Sequence, residues 1–226
     1  MKVSKNVVKM LAAAGILAAA NGAMAQSQGQ FTVSVGANML KPNVTSGVIS
    51  APALPNSQGD VSKDTQPVAV ITYGLTDNIS IESAVGTPYK HKIYGAGAIT
   101  GTGQLGTVQA LPAIALVQYR FFSPDSMIRP YIGLGVTYAM FQKERGSFAM
   151  TALTNPGGGT ATTFSIDNKW TYSGQLGLQV NVTEKWFANV SYIKTKLSTD
   201  VHFSTGQRQH MRLDPDSYIL SVGYKF

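Results

Sequence analysis

The last nine residues of the chain alternate strictly: Tyr218, Leu220, Val222, Tyr224 and Phe226 share one parity, while Ile219, Ser221, Gly223 and Lys225 hold the other. Successive side chains of an extended strand point to opposite faces, so this spacing predicts a strand with one greasy, aromatic face and one mostly small or polar face. The same design opens the chain's first strand, where Phe31, Val33, Val35, Ala37 and Met39 alternate with Thr32, Ser34, Gly36 and Asn38. It returns over 168–181, with Trp170, Tyr172, Leu176, Leu178 and Val180 opposed to Thr171, Ser173, Gln175, Gly177 and Gln179. Segments 65–75, 78–87, 108–122, 129–141 and 185–198 complete a set of eight.

The links between these strands alternate in length. Long ones fall at about 41–63, 88–107, 142–167 and 199–209, and short ones at 76–77, 123–128 and 182–184. An even set of strands joined in this way is an up-and-down meander, with the long links at one end and both termini on the short-turn side. The prediction is therefore all-β: an eight-stranded antiparallel up-and-down barrel.

Periodicity alone does not say which face is inside. The aromatics decide, because Tyr218, Tyr224 and Phe226, or Trp186 and Tyr192, mark strand ends on the greasy face, where two membrane interfaces call for them. Gly, Ser, Thr, Asn and Gln on the other face suit a narrow polar lumen and make a poor solvent surface with only 13% charged residues. The predicted barrel is transmembrane, in contact with lipid.

Composition sharpens this picture. The chain has 226 residues, 44% of them hydrophobic, and no cysteine, which argues against a disulfide scaffold, a thiolate metal site and a charged disordered chain. No apolar run reaches the roughly 18 residues a spanning helix needs. Lys2, Lys5 and Lys9 precede an apolar stretch over 10–20, followed by Ala23-Met24-Ala25. This predicts a cleaved signal peptide, 1–25, and a mature barrel domain, 26–226, beginning at Gln26. Three of the 18 basic residues and none of the 11 acidic ones leave with the leader, so the formal charge falls from +7 to +4. An excess this modest gives no reason to expect nucleic acid as a partner.

Candidate chemistry is sparse. The histidines at 91, 202 and 210 come with no cysteine and no nucleophile–base motif, so the chain reads as no enzyme, with no metal site and no cofactor. His202 and His210 bracket a long link without a third ligand. Gly95-Ala96-Gly97 and Gly157-Gly158-Gly159 lack the Lys-Ser/Thr of a phosphate loop and read as flexible tips.

Several blocks, taken in order, resemble the OmpW family of bacterial outer-membrane proteins across essentially the whole mature chain. They are Tyr73-Gly74-Leu75-Thr76-Asp77-Asn78-Ile79, Thr87-Pro88-Tyr89-Lys90-His91-Lys92-Ile93, Leu111-Pro112 through Gln118-Tyr119, Arg129-Pro130-Tyr131-Ile132-Gly133-Leu134-Gly135, and Trp186-Phe187-Ala188-Asn189. The terminal Tyr224-Lys225-Phe226 resembles the aromatic signal read by the barrel-assembly machinery. The resemblance implies an outer-membrane location and passage of small hydrophobic molecules through a lumen that is apolar toward the outside. It further implies sideways release into the bilayer through a gap in the wall.

Residues of lumen parity supply candidates for such a channel: Leu40, Val68, Val70, Ile114, Leu116 and Phe141. An ordinary filled core accounts for the same residues. Pro67 and Pro112 each remove a ladder donor and are candidates for a lateral gap, or else mark strand starts. Glu82 and Arg120 have lumen parity on neighbouring strands near the short-turn end and are expected to pair as a periplasmic plug, since a lone buried charge costs several kcal/mol. The competing function is a structural or receptor barrel whose long loops contact a host surface, a phage or a toxin. The sequence leaves the oligomeric state and the natural solute open.

Overall fold

The alternating segments become strands of a barrel closed on itself. The computed structural model describes residues 28–226, so the predicted signal peptide and its junction before Gln26 lie outside the described residues. In chain order the elements are β1 (Phe31–Lys41), β2 (Thr45–Ser46), β3 (Ser57–Val61), β4 (Asp64–Gly74), β5 (Ile79–Gly86), β6 (Tyr89–Gly97), β7 (Gln104–Arg120) and β8 (Ile128–Gly146). After them come a short helix α1 (Phe148–Thr154), then β9 (Phe164–Ile166), β10 (Lys169–Asn181), β11 (Trp186–Thr195), β12 (Ser198–Phe203), β13 (Arg208–Arg212) and β14 (Asp216–Lys225).

Eight of these strands form the wall in the circuit β1, β4, β5, β7, β8, β10, β11, β14 and back to β1. Every neighbouring pair is antiparallel, and β1 closes the circuit against β14 with Val35 opposite Val222. The long links differ from the expected loops. β6 pairs with the upper part of β7 and carries β3 on its other edge, while β2, β13, β12 and β9 form a separate four-stranded sheet. α1 is capped by the Ser147 side chain, which accepts from the Met150 N–H. These segments are ordered because they bring apolar side chains of their own: Ile49, Ile99, Leu105, Met150, Phe164, Val201, Phe203, Met211 and Leu213 bury together beyond the barrel wall.

The greasy parity faces outward. Leu134 is 75% exposed and Leu220 67%, whereas their strand neighbours Gly133 and Ser221 are buried. So broad an apolar exterior requires lipid. It is bounded by two rings of paired aromatics, Tyr138 with Trp170 and Tyr192 with Tyr218 at one end, Trp186 with Tyr224 and Tyr119 with Phe121 at the short-turn end. Such girdles sit at the two membrane interfaces.

Candidate functional site

The lumen is built in two layers by the same period-two rule. Toward the short turns, inward positions are polar: Thr72, Ser80, Glu82, Gln118, Arg120, Arg129, Gln175, Gln179, Asn189, Ser221 and Lys225 are all buried. Tyr131 and Phe187 fill the space between them, and they fit because Gly177 and Gly223 stand opposite, where a Cβ would collide with the respective rings. The result is a solid floor.

Glu82 and Arg120 both belong to this floor, and they are joined through two glutamines without an ion pair between them. Arg120 Nη2 donates to Gln118 Oε1 at 2.8 Å, Gln118 Nε2 to Gln175 Oε1 at 2.7 Å, and Gln175 Nε2 to Glu82 Oε1 at 2.7 Å. The last of these bonds crosses the lumen from β10 to β5. Arg120 also donates to Ser80 Oγ and Gln179 Oε1, and its guanidinium lies 4.7 Å from the centre of the Tyr131 ring. Arg129 Nη2 donates to the Asp77 carbonyl at 2.7 Å, and Tyr131 Oη to Asn189 Oδ1 at 2.9 Å. The buried floor thus holds three basic side chains, Arg120, Arg129 and Lys225, against one carboxylate, Glu82, so it is positively charged as well as filled.

Above it the lumen turns apolar. Val70 and Leu116 pack with Val68, Ile193 and Ile219 in one buried cluster. Over that layer opens a cavity of about 120 Å³, lined by Leu40, Val68, Ile114 and Phe141 and continuing upward between Ile49, Leu105, Met150, Phe164 and Phe203. Of the six channel candidates, four therefore line the cavity, while Val70 and Leu116 face the lumen just beneath it. An apolar cavity of roughly 150 Å³ takes up benzene, so the volume matches a small apolar guest.

The wall beside this cavity is incomplete. Between β5 and β7 the pairing stops at Ala84 opposite Ile114, and between β6 and β7 it resumes at Tyr89 opposite Ala110. Residues 85–88 and 111–113 therefore lack partners across that seam, although 111–113 stay paired to β8. On the neighbouring seam the β4–β5 ladder ends at Val68 opposite Gly86, one residue below Pro67. Pro67 itself pairs only with Ala37 of β1. Side chains replace the ladder there: Thr87 Oγ1 donates to Gln66 Oε1 at 2.8 Å, and the Lys90 N–H donates to Asp64 Oδ2 at 2.7 Å. Val85, Thr87, Leu111 and Pro112 line both the break and the cavity. Because Ala113 lies opposite Tyr138, the break sits at the level of the upper aromatic ring.

Beyond that ring, β6 turns Tyr89 and His91 inward. Asn38 Nδ2 donates to Tyr89 Oη at 2.7 Å, and His91 Nδ1 lies 2.6 Å from the Ser62 carbonyl. Burial pulls the His91 imidazole below its usual 6.5, against the Ser62 hydrogen bond and the charge of Asp64, which pull it up. His202 and His210 sit on the outer sheet instead, beside Asp167 and Asp200 respectively.

Gln118, Gln175, Gln179, Tyr131, Arg129 and Lys225 were missed as floor residues, although their shared inward parity was a readable signal. The upper part of the cavity had a weaker one, the alternation of Val201 and Phe203 and of Met211 and Leu213.

The sequence profile of the OmpW family matches residues 27–226. Outer membrane protein W of Salmonella typhimurium is 32% identical over 208 residues, spanning 90% of this chain and 92% of that protein. Outer membrane protein AlkL of Ectopseudomonas oleovorans is 31% identical over 197 residues, spanning 86% of this chain and 77% of that protein. The crystal structure of the outer membrane protein OprG from Pseudomonas aeruginosa has the same fold, with a TM-score of 0.79 at 24% identity over 89% of this chain and 97% of that one.

Proposed function

Because the chain belongs to the OmpW family and is a barrel of the bacterial outer membrane, we propose that it admits small hydrophobic molecules through its apolar upper lumen and releases them sideways into the bilayer. The observation that carries this reading is the continuity of the cavity with the break in the wall at residues 85–88 and 111–113. An apolar guest gains about 25 cal/mol per Å² removed from water, so the cavity captures it from a dilute aqueous phase. Straight passage is blocked by the filled, positive floor. Through the break, by contrast, a guest moves from one apolar surrounding to another and never returns to water. Pro67 and Pro112 belong to this exit because neither offers an N–H with which to close the ladder.

Insertion is proposed to use Tyr224 and Phe226 as the signal for the barrel-assembly machinery. In support, Phe226 is 64% exposed, and its N–H donates to the Phe31 carbonyl at the closing seam.

The test is uptake of naphthalene by cells lacking the protein and by the same cells supplied with wild type, Leu40→Asp or Ile114→Asp. Wild type is expected to raise uptake, and either variant to return it to the level of the lacking cells while circular dichroism shows an intact barrel. Unchanged uptake in well-folded variants removes the channel and leaves a structural or receptor barrel.

A further inference from the structure

Inside the apolar cavity, one polar pair is not fully used. Asn38 lies on the inward face of β1 and is 7% exposed, and Tyr89, the first residue of β6, is 4% exposed. Their side chains meet at 2.7 Å, yet among the described residues Asn38 Oδ1 is buried without a hydrogen-bond partner. Buried side-chain acceptors are nearly always satisfied, so an orphan that borders an open cavity calls for an explanation. Several other polar groups on the cavity wall are committed to protein partners. Gln209 Nε2 bonds Ser46 and Gly47, and the hydroxyls of Thr137 and Thr195 both bond Ser173.

We propose that Asn38 and Tyr89 form a subsite for a single hydroxyl group, so that the channel prefers phenols and alcohols over hydrocarbons of the same size. This deepens the channel reading given above and rests on it. The chemistry follows from counting donors and acceptors. With Asn38 Nδ2 donating to Tyr89 Oη, the phenolic proton and Asn38 Oδ1 are both left for a guest. With the amide turned over, Tyr89 donates to Oδ1, and the amide N–H groups and Oη are left instead. Either way the pair presents at least one donor and one acceptor side by side, and a hydroxyl is the smallest group that answers both.

The place fits the path. Tyr89 stands where the wall resumes above the break, next to Pro88. Asn38 adjoins Ala37, the β1 residue opposite Pro67. Leu40, Val68, Ile114 and Ile219 give the same cavity apolar surface. A guest is therefore held by its hydrocarbon part and sorted by its one polar group on the way to the exit.

The experiment pairs 2-naphthol with naphthalene, which share a skeleton and differ by one hydroxyl. Uptake is measured in cells supplied with wild type, Asn38→Leu or Tyr89→Phe, and binding is measured by probe fluorescence on the purified proteins in lipid nanodiscs. The expected result is a fall of about five- to tenfold for 2-naphthol in each variant, the size of one ordinary hydrogen bond, with naphthalene unchanged. Tyr89→Phe removes only an oxygen atom and so guards against a folding defect in Asn38→Leu. Unchanged 2-naphthol uptake and binding in both variants, with naphthalene still carried by all, overturns the subsite and leaves the channel standing. If wild type carries neither probe, the channel reading fails; the nanodisc measurement then decides the subsite alone, and equal 2-naphthol affinity in wild type and variants overturns it.

Discussion

Replacing Glu82 tests whether the floor is held by its bridged charges. Glu82→Leu removes the acceptor of the 2.7 Å bond from Gln175 Nε2 and of a weaker 3.4 Å bond from Thr72 Oγ1. It also removes the one buried carboxylate of a floor that holds Arg120, Arg129 and Lys225. A hydrogen bond to a charged group contributes roughly 1.5–3 kcal/mol, and deleting one partner of a buried charge arrangement costs about 3–5 kcal/mol in all. The expected loss for Glu82→Leu is therefore about 3–5 kcal/mol. Glu82→Gln keeps an oxygen for Gln175 and loses only the charge assistance, which is about half the strength of such a bond. Its expected loss is about 1–2 kcal/mol. Urea unfolding in lipid vesicles, followed by the fluorescence of Trp170 and Trp186, measures both by linear extrapolation. The two tryptophans report from opposite aromatic rings, so one coincident transition also establishes that the barrel unfolds as a unit. A Glu82→Leu protein within about 0.5 kcal/mol of wild type, well below any value argued from a buried charge, would refute the bridging argument. So would a Glu82→Gln protein that is the less stable of the two.

Leu220→Arg places a charge on the lipid face between the two aromatic rings and should cost roughly 2–4 kcal/mol. Folding yield in vesicles should fall far below that of Ser221→Ala, and equal yields would mean that inside and outside are exchanged. His91 gives a pH dependence: its folded pKa lies below 6.5, so at pH above 6.5 its contribution is fully present, and as pH falls below 6.5 the unfolded chain takes up a proton that the folded one resists. The protection of the β6 amides, taken as exchange relative to the intrinsic rate at each pH, should therefore fall on acidification in wild type and much less in His91→Gln. Asp64 faces His91, but hydrogen bonds from Gln66, Lys90 and Thr65 outweigh its burial and hold its carboxyl below 3.8, so it titrates under this window. N-terminal sequencing of protein extracted from membranes should begin at Gln26, and a start more than about three residues away rejects the predicted leader cleavage. Deleting Phe226 should lower the amount reaching the outer membrane, read by fractionation, without changing folding of the purified chain in vesicles.

What was legible in the sequence follows from which interactions are local. The wall strands could be read because each must keep one face toward lipid and one toward the lumen, and that requirement writes a period of two into every segment of 218–226 or 31–39. The upper strands were not read, because β12 and β13 are short and bury their apolar residues against side chains far away in the chain, such as Ile49 and Phe164. The floor falls between these cases. Parity put Glu82 and Arg120 in the lumen, but it could not show that Gln118 and Gln175 intervene, since the Gln175 to Glu82 bond joins strands 93 residues apart across the barrel. The seam near residue 86 was equally hidden. Pro67 and Pro112 flagged missing donors, yet a proline deletes only its own N–H. The interruption of pairing needs three things to coincide: the end of β5 at Gly86, the Thr87-Pro88 link that starts β6 afresh, and the unmatched stretch 111–113 of β7. A gap in a barrel is thus a property of register between strands. That is why single residues point toward it and only the assembled wall locates it.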